Sequence, residues 1–169
     1  MDQRDRTYIG VIGAGGGDPA AERLAEEVGR ELARRGALLV CGGLGGVMEA
    51  ACRGAKSAGG TTIGILPTER RGIENPHLDI ALPTGIGEMR NMLIVRASDA
   101  LIAVGGEFGT LAEIAFARKV GKPVVGLDTW ELAKGGRAWN AVVRASSPPD
   151  AVHQALRLAQ VPPPATRPI

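Results

Sequence analysis

Aromatic side chains are scarce in this chain: two Phe, two Trp and one Tyr make up 3% of its 169 residues, although hydrophobic residues reach 44%. That scarcity excludes an aromatic-rich sandwich core. An aliphatic core of Val, Ile, Leu and Ala suits buried parallel strands instead. Cysteine is equally sparse, and Cys41 and Cys52 form no CxxC pattern, which argues against a disulfide scaffold or a zinc site. His77 and His153 stand alone, so no metal is expected. Charge of one sign is also missing. Lys plus Arg number 20 and Asp plus Glu 18, a net +2, which offers no concentrated basic field for nucleic acid. No run reaches the roughly 18 apolar residues of a membrane span. The N-terminal Met1-Asp2-Gln3-Arg4-Asp5-Arg6 is not followed by a signal-like apolar stretch. The expectation is a soluble cytoplasmic protein with neither membrane nor nucleic acid as a partner.

Glycine, by contrast, is abundant. The 25 glycines gather at the ends of apolar runs without a period, which points to backbone-lined loops rather than a collagen-like repeat. Strands are expected at Tyr8 to Gly13, Ala37 to Cys41, Thr61 to Leu66, Leu78 to Leu82, Ala100 to Val104, Pro123 to Leu127 and Ala141 to Ala145. Helices are expected from Pro19 to Arg35, Val47 to Ala58, Glu88 to Ala97, Leu111 to Val120 and Pro149 to Gln160. Asp18-Pro19 reads as an N-cap with proline at the first helical position. Trp130 to Trp139 fits no element, and the polar stretch from Pro67 to His77 reads as a long loop or lid. Repeated strand–glycine–helix units predict an open α/β fold, doubly wound and mostly parallel, with helices on both faces. Residues 1–160 are expected to form one nucleotide-binding domain, and 161–169 a proline-rich tail.

Three glycine loops fall where such sheets bind ligands, beyond the carboxyl ends of the strands. In the first, Gly13-x-Gly15-Gly16 matches half of GxGxxG, but Asp18 stands at the third glycine and would repel a pyrophosphate. No GxxxxGK[ST] occurs, and no lysine sits in a pyridoxal pattern, so no cofactor is expected. The second loop, Gly42-Gly43-Leu44-Gly45-Gly46, opens a helix whose free N–H groups suit an anion; close helix–sheet packing is the competing explanation. The third, Gly105-Gly106-Glu107-Phe108-Gly109-Thr110, offers backbone N–H groups and the Thr110 hydroxyl to a phosphate. Glu113 is open to two readings, a catalytic carboxylate or the far end of a Thr110-x-x-Glu113 capping box. Arg90, beside Asn91, lies against the dipole of an expected first helical turn. It is either an anion partner or a solvated surface arginine.

Gly42-Gly-Leu-Gly-Gly-Val-Met-Glu49, Gly64-Ile-Leu-Pro67, Arg90 and Gly105-Gly-Glu-Phe-Gly-Thr-Leu-Ala-Glu113 together resemble the superfamily historically mislabelled as lysine decarboxylases. Its best-known members are the LONELY GUY cytokinin-activating phosphoribohydrolases. The resemblance spans roughly Tyr8 to Leu127 and implies a modified Rossmann fold and a dimer with its active site near the subunit boundary. It also implies cleavage of nucleoside 5′-monophosphates to base and ribose 5-phosphate. The family's catalytic arginine and glutamate map to Arg90 and Glu113. Three positions depart from the enzymes' pattern: Val104 replaces a proline, Asn91 replaces a lysine, and Glu107-Phe108 fills the place of one residue. These features look more like the branch of the molybdenum cofactor carrier proteins. The resemblance therefore implies a phosphoribohydrolase-like enzyme or, alternatively, a non-catalytic carrier of a phosphorylated pterin. The expected phosphate or nucleotide contacts are Gly15, Gly16, Gly42, Gly43, Gly45, Gly46, Asn91, Gly105, Gly106, Gly109 and Thr110.

Met89, Met92, Leu93, Ile94 and Val95, with Leu111, Ile114, Ala115 and Phe116, make apolar sets wider than one sheet-facing stripe needs. Surplus apolar surface of this kind belongs at interfaces. With the family's habit added, a homodimer, or a pair of dimers forming a tetramer, is expected. Sedimentation at low micromolar concentration should give a species at least twice the 17.5 kDa chain mass, and a clean monomer would refute the expectation.

Overall fold

The computed structural model describes residues 6–161. Strands β1 (Tyr8–Gly13), β2 (Leu38–Cys41), β3 (Thr62–Leu66), β4 (Ile80–Pro83), β5 (Ala100–Val104) and β6 (Val124–Leu127) alternate with helices along the chain, except between β3 and β4. The helices are α1 (Pro19–Arg34), α2 (Val47–Ser57), α3 (Asn91–Ala97), α4 (Phe108–Lys119) and α5 (Pro148–Ala159). A hairpin of β7 (Leu132–Lys134) and β8 (Arg137–Trp139) precedes a short β9 (Val143–Arg144). The main sheet has the order β4-β3-β2-β1-β5-β6-β9 and is parallel throughout. The expected doubly wound α/β architecture is present. Among the described residues no helix is long and apolar enough to cross a membrane.

Alternate residues of the central strands feed two cores, as a strand's two-residue period requires. Val11, Leu39 and Ile102 pack on one face with Val28 and Leu32 of α1, Ala51 of α2 and Ala155 of α5. Ile12, Val40 and Leu101 pack on the other with Ile94 of α3 and Ile114 of α4. The second face has fewer helices and carries the exposed apolar residues Met89, Leu93 and Phe108. Ile94, Val95 and Ile114, expected in a surplus surface, belong to the buried core instead.

Order reverses between β1 and β5, which pair in register from Ile9↔Ala100 to Gly13↔Val104. Loops leaving these adjacent carboxyl ends diverge to opposite sides and open a crevice, the usual ligand position in such sheets.

Three elements differ from expectation. The helix expected from Glu88 is a 3-10 turn, Gly87–Arg90, leading into α3, because Gly87 at φ 59° sets a tight start. α4 begins at Phe108 rather than Leu111, since Gly105 and Gly106, both at positive φ, complete the turn within two residues. The unassigned Trp130 to Trp139 stretch holds the β7–β8 hairpin, turned by Gly135 and Gly136 at φ 58° and 76°. The proline-rich tail beyond Val161 lies outside the described residues.

α1 and α2 lie unusually close because two glycines meet the opposing backbone. A Cβ on Gly29 would overlap the Ala51 carbonyl, and one on Gly54 the Glu26 carbonyl. Alanine improves an isolated helix by about 1 kcal/mol over glycine, but the overlap here is with rigid backbone. Gly54→Ala should therefore lower unfolding free energy by about 2–3 kcal/mol, seen as a lower urea midpoint. An unchanged or higher midpoint would show that the crossing is not held at this distance.

Candidate functional site

Gly15, Gly42, Arg90, Asn91, Gly109, Thr110 and Glu113 line one cleft of ≈ 410 Å³ above the β1/β5 reversal. Pro67 at the end of β3 and Glu88 of the 3-10 turn join them, as do Met48 and Glu107. Chain positions far apart thus converge through the topology.

The other expected contacts, Gly16, Gly43, Gly45, Gly46, Gly105 and Gly106, are not among the residues that line this cleft. A Cβ on Gly46 would overlap the backbone of Ala14 to Gly16, and Val47 N–H donates to the Ala14 carbonyl at 3.0 Å. The first glycine loop therefore takes up the first N–H of α2, whose Gly46 N-cap supplies no side-chain cap. Gly43 sits against Leu66 and Leu78, Gly45 backs onto the Gly15 carbonyl, and Gly16 is open to solvent. Gly105 and Gly106 turn the chain into α4, and Thr110 packs beneath Gly106 with no room for a Cβ.

Helix termini divide in the same way. The Asp18 carboxylate accepts from Ala20 and Ala21 N–H at 3.1 and 3.0 Å, so α1 is capped by its own anion. Ser147 caps α5. α4, in contrast, has Glu107 in the N-cap position with no side-chain cap, leaving first-turn N–H groups at Gly109 and Thr110 where the cleft is lined. The capping box is not formed, because Thr110 lies inside the helix rather than at its N-cap.

Glu113 is 5% exposed and Arg90 7%. Burial pushes the Glu113 carboxyl up to about 7, and the Arg90 charge pulls it the other way. Arg90 is not the solvated arginine of the alternative reading. Its Nη1 donates to Asn91 Oδ1 at 2.5 Å and its Nη2 to the Gly42 carbonyl at 3.1 Å. Only glycine at 42 admits this, since a Cβ there would stand 2.5 Å from Nη1. The buried Nε–H of Arg90 has no partner among the described residues. A buried donor left unmade costs about 1–3 kcal/mol, and an anionic oxygen in the cleft would satisfy it. Behind Gly42 the free thiols of Cys41 and Cys52 lie 3.5 Å apart.

Sequence reasoning missed a second cavity of ≈ 360 Å³, lined by Trp130 and Trp139 at the β7–β8 hairpin. The Lys134-Gly135-Gly136-Arg137 run, a two-glycine hairpin signal, was the feature that could have found it.

The family model described as the SLOG cluster4 family matches residues 6–155. A cytokinin riboside 5′-monophosphate phosphoribohydrolase from Mycobacterium tuberculosis is 36% identical over 126 residues, 69% of this chain and 67% of that protein. A solved molybdenum cofactor binding protein from Rippkaea orientalis superposes with a TM-score of 0.83 at 38% identity, covering 90% of this chain and 97% of the other. The molybdenum cofactor carrier protein of Chlamydomonas reinhardtii gives 0.78 at 35% identity, covering 90% and 98%.

Glu113 has a built-in pH signature. Unfolded, it titrates near 4.5; folded, near 7. The folded state binds the extra proton between these values, so this group's contribution to stability is full below 4.5 and is lost as pH rises through 7. Glu113→Gln, a mimic of the protonated form, should stabilise the protein by about 3 kcal/mol at pH 8 and by little at pH 4.5. Urea midpoints at both pH values check this, and a pH-independent difference would contradict the buried, raised carboxyl.

Proposed function

Because the chain belongs to the SLOG cluster4 family, we propose that its cleft binds a nucleoside 5′-monophosphate and hydrolyses the N-glycosidic bond, releasing the base and ribose 5-phosphate. The observation that carries this reading is Glu113, a buried carboxyl titrating near neutrality in the same cleft as an arginine with an unpaired Nε–H. A carboxyl tuned to this range is half ionised at neutral pH, which suits proton transfer in both directions. In the proposed reaction Glu113 takes a proton from the water that attacks the ribose C1′. The bond's electron pair leaves on the base nitrogen, and the base recovers a proton. Positive charge developing on the sugar is offset by the carboxylate, as in other glycoside cleavages. The phosphate is assigned to the uncapped first turn of α4, near Gly109 and Thr110, with Arg90 Nε as a further donor.

A second reading, a non-catalytic carrier of molybdenum cofactor, draws on the likeness to the Rippkaea and Chlamydomonas proteins over most of the chain. The Arg90–Asn91 bond, which restrains Arg90 where the phosphoribohydrolase pattern has a lysine beside it, favours the same reading. Under either reading the exposed Met89, Leu93 and Phe108, at 70%, 41% and 80% exposure, are proposed to meet a second copy of the chain.

Incubation with AMP and with a cytokinin riboside monophosphate, followed by chromatography, decides between the two. Hydrolysis predicts free base from at least one, reduced about a hundredfold or more in Glu113→Gln. No base above that control, together with tight binding of molybdenum cofactor by both proteins, would replace the enzyme with the carrier.

A further inference from the structure

The second cavity contains both of the chain's tryptophans. In a protein with so few aromatic residues, this is an unusual allocation. Neither tryptophan is among the buried core residues; Trp139 is 48% exposed on the hairpin. One hydrogen bond links the cavity's lining to that of the cleft. Trp130 Nε1–H donates to the Glu107 carbonyl at 3.2 Å, and Glu107 lines the cleft while Trp130 lines the cavity. The ring of Phe108 leans on Trp130 at 5.8 Å and 41°, bracing it from the side of α4. Trp130 is thus fixed through both its polar and its apolar parts, as a stacking surface must be.

The remaining lining mixes Leu132, Ala138, Val142 and Ala145 with polar side chains that include Asp128, Glu131 and Arg144. Arg144 pairs with Glu131, which leaves Asp128 as the lining carboxylate without an ion pair among the described residues. Asp128 follows β6 at φ 50°, a left-handed backbone that Asp tolerates better than most side chains. A carboxylate beside aromatic faces accepts hydrogen bonds from two adjacent donors in one plane. A volume of ≈ 360 Å³ is in the range of small-molecule pockets.

The geometry points to the Trp130–Trp139 cavity as a second binding compartment, for a planar heterocycle whose edge carries an amide N–H beside an amino group. Guanine and pterin rings share that edge. The ring stacks against the indoles and its donor edge meets Asp128. This inference does not rest on the proposed hydrolysis, because it concerns the heterocycle alone and uses no residue assigned to the reaction.

The test is calorimetric titration of the full-length protein with guanosine and, separately, neopterin, neither of which carries phosphate. At least one should bind, and the tighter of the two names the source of the ring. Trp139→Ala should weaken binding about tenfold or more, while Trp139→Phe, which keeps an aromatic face, should stay within about threefold. Asp128→Asn keeps a residue suited to the left-handed turn and should also weaken binding. It carries the test alone if Trp139→Ala does not fold. Glu113→Gln, silent in the base-release assay, should bind as the parent does. Binding of neither probe would overturn the inference, as would affinity indifferent to both Trp139 and Asp128. Loss of binding in Glu113→Gln would place the ring in the other cleft and overturn it equally.

Discussion

Removing Glu113 and Arg90 from water together is unfavourable, because the carboxyl is pushed toward its neutral form and the guanidinium keeps an unpaired donor among the described residues. The fold sustains that arrangement through its topology. Strand order reverses between β1 and β5, so α3 and α4 leave the same sheet face on either side of one crevice. Ile94 and Ile114 anchor those two helices in a dry aliphatic core. Glu113, one residue before Ile114, is thereby held at the floor of the crevice. Arg90, at the end of the 3-10 turn, is fixed by Asn91 and the Gly42 carbonyl.

The glycine loops make this geometry possible in different ways. Gly42 is the one in direct service of the site, because any side chain there would displace the guanidinium. Gly106 lets the chain turn into α4 over Thr110, so that the helix starts early and its first N–H groups stay uncapped. Gly46 lets the first glycine loop approach α2, where the Ala14 carbonyl accepts from Val47 N–H. Asp18 closes α1 with its own carboxylate. The starts of α2 and α4 both lack a side-chain cap, and Gly109 and Thr110 in the first turn of α4 line the cleft.

Much of the framework was legible in the sequence because buried parallel strands read as aliphatic runs ended by glycine. β1 and β5 fell where expected, and the Asp18-Pro19 cap formed as read. Glycines alone could not tell a ligand loop from a packing loop. That distinction depends on which backbone lies opposite, as at Gly46. The Thr110-x-x-Glu113 pattern suggested a capping box, yet the helix began before Thr110 and left Glu113 to face the cleft. The burial of Arg90 was equally invisible, since it comes from Gly42, a partner distant in sequence. The hairpin of Trp130 to Trp139 was missed for a different reason: its strands are three residues each and carry no clear alternation.

The central claim is that the uncapped start of α4 and the buried Arg90 and Glu113 form one ligand site. A crystal structure of Glu113→Gln with AMP bound tests it most directly. The account predicts phosphate oxygens on the N–H groups of Gly109 and Thr110 and within hydrogen-bond reach of Arg90 Nε, with the ribose against position 113. A phosphate seated instead on the Gly42 to Gly46 loop, with Arg90 Nε still unpaired, would contradict it.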